Sequence, residues 1–165
     1  MISNSDSTMT LPLTLQGNEI LEMQADRNPY LFIDKVTSLI PGKACDGFKN
    51  LTMNEWFFPI HFEGDPCMPG FLQAEMLVQF CALTLLALPG NKGKKVYLLS
   101  CERMKAVKKV VPGDRIDVKT TLLSYRHSIA KGHGEGYVNG KIVISADFTF
   151  TLAISEERKT LIPNL

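Results

Sequence analysis

The feature that most constrains the fold is a long apolar segment with proline or glycine at both ends. It begins at Pro69 and ends at Pro89-Gly90. Proline is tolerated in a first helical turn, where N–H groups have no intrahelical partner, and a Pro-Gly pair ends a helix. The segment spans about five helical turns and is apolar on nearly every side, which predicts a buried helix. Its large apolar residues are Leu72, Met76, Leu77, Phe80, Leu83 and Leu86.

The remainder of the chain predicts mainly strands. In residues 142–154 every second residue is apolar, and a period of two places them on one face of a strand. Asn139-Gly140, just before, suits the positive φ angles of a type I′ hairpin turn. One buried helix with a long antiparallel sheet is an α+β layout, with the sheet curved around the helix. The other predicted elements are a short helix over 18–25 and strands over 30–39, 44–51, 96–102 and 115–125.

The predicted helix is a poor membrane span, because polar residues interrupt it and such residues are costly in a bilayer. The first ten residues are rich in Ser and Thr and lack the basic start and apolar core of a secretory signal. We therefore expect a loosely ordered segment over residues 1–15, a single domain over 16–165, and no membrane span. The interrupting residues are Pro69, Gln73, Glu75 and Gln79.

Charge and cysteine content exclude several classes of protein. Eighteen basic and seventeen acidic residues give a net charge of +1, which argues against a general nucleic-acid binder. Basic residues nevertheless concentrate between Lys92 and Arg115. Four widely spaced cysteines and three histidines form no zinc-ligand pattern, and free thiols suit a reducing compartment. We expect a soluble cytoplasmic protein without a metal site.

Two titratable residues near the start of the helix suggest acid–base chemistry. His61 lies on a loop before the helix, and Glu75 lies within its apolar sequence. Imidazole serves as a general base, and burial favours the protonated form of a carboxyl, which can then act as an acid. Gly70, in the first helical turn, can offer a backbone N–H to a developing negative charge. On residue types alone, a structural or solvated histidine is the alternative, and both interpretations stay open.

The spacing of these residues resembles a known family. The pattern His61-Phe62-x-Gly64-x-Pro66-x-Met68-Pro69-Gly70-x4-Glu75-x3-Gln79 is similar to the signature of the β-hydroxyacyl-acyl carrier protein dehydratases. These are hotdog-fold enzymes of fatty acid and polyketide synthesis, in which a curved antiparallel sheet wraps a long central helix. The resemblance extends from about Arg27 to Leu152, and the other matching segments are 27–34, 41–43, 96–98 and 110–114.

The resemblance implies a role for each matching residue. His61 corresponds to the base that removes the α-proton of a (3R)-hydroxyacyl thioester, and Glu75 to the acid that assists loss of the β-hydroxyl as water. Gly70 corresponds to the residue whose N–H binds the thioester carbonyl, and Gln79 to a residue that supports the acid. In the family, the histidine of one chain meets the acid of another, so a homodimer, or a higher oligomer built from dimers, is implied. Three further residues are candidates for lining the acyl tunnel: Tyr97 as its gate, and Phe71 and Leu72 along its depth.

The resemblance also implies a partner, acyl carrier protein, which is acidic and presents the substrate on its phosphopantetheine arm. The basic stretch is then a candidate docking surface. No metal and no redox cofactor are implied. Within that stretch the candidate docking residues are Arg103, Lys105, Lys108 and Lys109.

The chain departs from the family pattern in two places. Glu63 replaces the proline after His61-Phe62, and Asp26 replaces the histidine of a His-Arg-Tyr-Pro segment. Parts of the pattern look like the bifunctional dehydratase/isomerase branch, although the acid of that branch is aspartate rather than glutamate. A non-catalytic subunit that binds acyl carrier protein is one alternative, and an acyl thioesterase on the same fold is another. His127 and His133, near a glycine-rich segment, are expected to be solvated loop histidines.

Overall fold

A computed structural model describes residues 12–153, which form two helices and seven strands. Most of the segment expected to be loose, residues 1–11, lies outside this range, as does Ile154 of the last predicted strand. The first strand begins at Leu13, inside that segment. In chain order the elements are β1 Leu13–Gln16, α1 Asn18–Met23, β2 Lys35–Ile40, β3 Ala44–Asn50, α2 Gly70–Leu86, β4 Val96–Ala106, β5 Arg115–Arg126, β6 Ile129–Val138 and β7 Lys141–Leu152.

The seven strands form one antiparallel sheet in the order β1-β2-β3-β5-β6-β7-β4. Helix α2 packs on this sheet, mainly against β3, β5, β6 and β7. All its residues from Met76 to Leu86 are buried. The predicted α+β layout, with one buried helix against a long antiparallel sheet, is thereby confirmed. No helix in residues 12–153 is both long and apolar enough to cross a bilayer.

Three alternate residues of β6 are glycines, and two of them allow the helix to approach the sheet closely. A Cβ atom at Gly132 would lie 2.7 Å from Cys81 Sγ, and one at Gly134 would lie 2.9 Å from Leu77 Cβ. Such distances are too short for carbon, so a side chain there would push α2 away. Gly136 is similarly crowded by strand residues. The expectation that His133 is a loop residue is therefore wrong, because this glycine-rich segment is a strand that α2 covers.

Three predicted strands differ in detail from the structure. The strand expected over 96–102 continues to Ala106. The strand expected over 30–39 begins only at Lys35, because backbone groups of Tyr30 and Phe32 are bonded to a helix side chain instead of a neighbouring strand. In β7 the pairing shifts near Val143, which is buried while Ile142 is exposed. A β-bulge of this kind changes which residues face inward. The hairpin before β7 is as predicted, with positive φ at Asn139 and Gly140.

Candidate active site

The ring of His61 is fixed by the loop that follows it. Its Nδ1 lies 2.9 Å from the carbonyl oxygen of Cys67, and the Phe62 ring stacks on the imidazole at 4.0 Å between centroids. A carbonyl oxygen only accepts hydrogen bonds, so Nδ1 carries the proton in this contact. In the neutral ring Nε2 then holds the free lone pair. The loop therefore orients His61 as a base through Nε2.

Glu75 is held on α2 by the amide of Gln79, one turn further along. Gln79 Nε2 donates to Glu75 Oε1 at 3.1 Å and to the backbone oxygen of Tyr30 at 2.8 Å. Gln79 Oε1 accepts from the backbone N–H of Phe32 at 2.9 Å. Gln79 is only 3% exposed, so these contacts leave its amide in one orientation. The amide ties the acid side chain to the segment that precedes β2.

The surroundings of Glu75 favour its protonated form. Burial raises the pKa of its carboxyl, the hydrogen bond from Gln79 lowers it, and the Asp26 carboxyl raises it again. The net pKa lies above the ordinary value for glutamate. A carboxyl whose pKa is raised stays protonated to a higher pH than an ordinary glutamate, which suits it to act as an acid.

Glu75 lines a cavity of about 40 Å³ between α2, β4 and the segment after α1. Its helix residues lie on one face, including Val78, Gln79 and Ala82. Gln24 and Asp26 form the wall on the side of α1. Sequence reasoning missed both residues as parts of the site. The departure from the family pattern at Asp26 was the signal that could have found one of them.

The first residue of α2 is Gly70, and the N–H groups in a first helical turn have no intrahelical partner. A Cβ atom at Gly70 would lie 3.2 Å from Met104 Cε and 3.4 Å from Ala106 Cβ. Glycine therefore allows β4 to pass close to the helix start. Among residues 12–153 the N–H of Gly70 has no acceptor, and it lies at the positive end of the helix dipole.

A single chain does not bring all the predicted residues together. His61 does not line the cavity of Glu75. Val96 and Leu98 of β4 do, but Tyr97 between them does not and is 51% exposed. Phe71 is 80% exposed, and the half-buried Leu72 packs against the core. The acid, its supporting amide and the cavity therefore belong to one group, and His61 belongs to another.

The four basic residues predicted to dock a partner are all exposed, but their environments differ. Arg103 forms an ion pair with Asp147, which His133 also contacts, and Lys109 forms one with Asp65. Lys105 and Lys108 form no ion pair within the described part of the chain. Across residues 12–153, no three His, Cys, Asp or Glu side chains are grouped so as to hold a metal ion.

Comparison with known proteins identifies the class of fold first. One chain of the dehydratase heterocomplex ApeI:P from Xenorhabdus doucetiae superimposes with a TM-score of 0.71 over 88% of this chain and 93% of that one, at 13% identity. At such low identity the likeness concerns the fold alone. The protein has the hotdog fold, as predicted, with the antiparallel sheet curved around α2.

Sequence comparison then gives the family. The model of the FabA-like domain matches residues 25–147. The chain is 37% identical over 143 residues to the 3-hydroxyacyl-[acyl-carrier-protein] dehydratase FabZ of Bacillus licheniformis, covering 87% of this chain and 99% of that protein. It is 41% identical over 140 residues to FabZ of Enterococcus faecalis, covering 85% and 99%. The chain belongs to the FabA-like family of 3-hydroxyacyl-acyl carrier protein dehydratases, which confirms the family predicted from the motif.

Proposed function

We propose that this chain dehydrates a (3R)-hydroxyacyl thioester on acyl carrier protein to the trans-2-enoyl thioester, with His61 as base and Glu75 as acid. The observation that carries the proposal is the half-buried Glu75 carboxyl, held by Gln79 in a cavity and with its pKa raised above the ordinary value for glutamate. The family supports the same reaction, since the relatives that match over nearly their whole length are named for it.

The proposed reaction divides the work between two residues. His61 Nε2 takes the α-proton, and the electron pair of the broken C–H bond forms the new double bond. Glu75 donates its proton to the β-oxygen as the C–O bond breaks, so the hydroxyl leaves as water. Negative charge on the thioester oxygen is stabilised by the N–H of Gly70 at the start of α2. Gln79 is a positioning residue, because it holds Glu75 and does not itself touch the substrate.

A homodimer completes the proposed site. Strand β4 ends the sheet, so one of its edges has no neighbouring strand within residues 12–153. Its residues Leu98 and Leu99 are 42% and 47% exposed. Exposed edge strands and apolar patches favour association. A second chain at this edge would bring its His61 to the cavity of Glu75, with Tyr97, Phe71 and Leu72 near the acyl tunnel.

Acyl carrier protein is the proposed partner, and its phosphopantetheine arm carries the substrate, so no cofactor of the chain's own is required. Lys105 and Lys108 are the better docking residues of the four, because Arg103 and Lys109 already pair with acidic side chains. The four cysteines of the chain are free thiols, which suits the cytoplasm.

Reversing the two unpaired charges tests this docking surface. In the double variant Lys105→Glu, Lys108→Glu we expect KM for carrier-protein-linked substrate to rise roughly tenfold, because like charges then oppose the encounter. Turnover of an N-acetylcysteamine thioester, a short substrate mimic that has no carrier protein attached, should stay unchanged. Lys141→Glu, an exposed charge on the β6–β7 hairpin, is the matched control. An equal loss on both substrates would contradict the docking role.

The function itself is tested with the unaltered protein. We expect hydration of a trans-2-butenoyl thioester on acyl carrier protein, followed as loss of the enoyl absorbance, without release of free thiol. Release of thiol instead would indicate a thioesterase. Absence of both activities over several chain lengths, with carrier protein still bound, would indicate the non-catalytic subunit.

A further inference from the structure

The cavity beside Glu75 contains a second carboxyl that the reaction above does not use. Asp26, from the segment that follows α1, lines the same cavity of about 40 Å³, and its side chain is half buried. Two charges interact more strongly beside apolar side chains than in water. The apolar residues that line the cavity from α2 and β4 are Val78, Ala82, Leu86, Val96 and Leu98.

No cation among the described residues forms an ion pair with Asp26. The guanidinium of Arg27 donates instead to two backbone oxygens, that of Gln24 at 2.9 Å and that of Asp26 at 2.8 Å. Lys94 also lines the cavity, but it is exposed and its Nζ donates to Asn91 Oδ1 at 2.8 Å. Water screens an exposed ammonium group, so its effect on the two carboxyls is small. The cavity therefore retains the negative charge of Asp26.

The two carboxyls lose their protons in a definite order. The first negative charge in a shared site opposes the second, so one carboxyl keeps its proton to a higher pH. Aspartic acid is the stronger acid in water. Burial raises the pKa of Asp26 and the charge of Arg27 lowers it, whereas Glu75 contacts the neutral amide of Gln79. Asp26 therefore ionises first, and Glu75 keeps the proton.

The other titratable groups that face Glu75 do not supply this charge. Tyr30 lies on the segment before β2, where burial raises the pKa of its phenol and the carboxyls of Glu75 and Asp26 raise it further. Its hydroxyl therefore stays neutral. In the proposed dimer, His61 of the second chain also faces Glu75, and an imidazole carries no negative charge. Asp26 is thus the source of negative charge beside the acid.

We propose that Asp26 is a positioning residue for the acid, because its negative charge across the cavity holds the proton on Glu75 until the β-hydroxyl leaves. The inference rests on the dehydration proposed above. Glu75 gives this proton to the β-oxygen as the C–O bond breaks, and it must regain a proton before the next turnover. The charge of Asp26 favours that return. The family pattern has histidine at this position, so the charge is a feature of this chain.

The direct test is the titration of Glu75 itself. Protein made with ¹³C-labelled glutamate gives one carboxyl NMR signal for each glutamate, and Glu75→Gln identifies the signal of interest by its loss. In Asp26→Asn, which keeps the size of the side chain and removes its charge, we expect the midpoint of this signal to move to lower pH. Asp46→Asn, a half-buried carboxyl of β3 outside the cavity, is the matched control and should leave the midpoint unchanged.

Activity supplies a second readout. Above the midpoint of Glu75 we expect kcat/KM for dehydration of a (3R)-hydroxybutyryl thioester on acyl carrier protein to fall about three- to tenfold in Asp26→Asn, because less of the enzyme carries the proton. Below the midpoints of both proteins the loss should disappear, since Glu75 is then protonated with or without the charge. Asp26→Glu keeps the charge and should retain most of the activity at every pH.

Three results would overturn the role of Asp26. The first is an unchanged midpoint of Glu75 in Asp26→Asn. The second is a loss of activity that stays the same at every pH, which indicates altered packing rather than altered charge. The third is an equal shift of the midpoint in Asp26→Asn and Asp26→Glu. Melting temperatures of all variants verify folding.

Inactivity of the unaltered protein is a separate outcome. It would overturn the proposed function, but the NMR titration needs no turnover and would still decide whether the charge of Asp26 holds the proton on Glu75. An active protein whose Glu75 titrates alike with and without Asp26 would keep the proposed function and overturn the role of Asp26 alone.

Discussion

Replacing His61 by alanine is expected to lower kcat for hydration of a trans-2-butenoyl thioester by roughly 10²–10⁴-fold, the usual contribution of a general base. The substitution removes the imidazole, whose Nδ1 lies 2.9 Å from Cys67 O and whose Nε2 is thereby left free to take a proton. Glu75→Gln should cost a similar factor. The amide keeps the shape of the side chain, but its N–H protons are not acidic enough to be transferred to the leaving hydroxyl.

Matched controls separate chemistry from folding. His127→Ala changes an exposed histidine in the turn between β5 and β6. Glu22→Gln changes an exposed carboxylate of α1, whose ion pair with Lys92 is also exposed and contributes little stability. Both should keep full activity and unchanged melting temperatures. Activity near that of the unaltered protein in His61→Ala would rule out His61 as the base.

The second large effect concerns stability. Gly134→Val should lower the free energy of unfolding by about 3 kcal/mol, because the new side chain overpacks the interface between β6 and α2. The Cβ atom alone would lie 2.9 Å from Leu77 Cβ, which is fixed to the helix and cannot turn away. For a domain of this size we expect the melting temperature to fall by roughly 6–12 °C. Thermal unfolding followed by circular dichroism measures the change.

Lys131→Val is the control for this substitution. It places the same side chain on the same strand, at an exposed residue on the opposite face of the sheet. We expect it to change the melting temperature little, because nothing there is overpacked. Equal losses in the two variants would contradict the close packing of α2 on the glycines and would point to a general intolerance of β6.

Local patterns in the sequence predicted much of the fold. Proline and glycine mark the ends of α2, and alternation and an Asn-Gly pair mark β7 and its hairpin. The errors have non-local causes. The late start of β2 depends on Gln79, whose amide binds Tyr30 and Phe32 from more than forty residues away. The bulge near Val143 depends on pairing with β6. The role of the glycines of β6 is apparent only from the packing of α2 against them.

For the site, the sequence predicted which residues take part better than it predicted how they are arranged in space. The motif identified the family and therefore the residues to examine, including His61 and Glu75. It could not predict that Gln24 and Asp26 share a cavity with the acid, because they come from a segment about fifty residues earlier in the chain. The departure at Asp26 is visible in the sequence, but only the fold places its carboxyl near Glu75.

Mixing the two inactive variants tests the central claim most directly. In a dimer whose sites combine His61 of one chain with Glu75 of the other, a His61→Ala chain paired with a Glu75→Gln chain has one intact site. Random pairing of equal amounts should then restore about a quarter of the activity of the unaltered protein, since half the dimers are mixed and each has one working site. Chains with different tags, unfolded and refolded together, allow the mixed dimers to be isolated. Isolated mixed dimers that stay as inactive as either variant would contradict a dehydratase site shared between two chains.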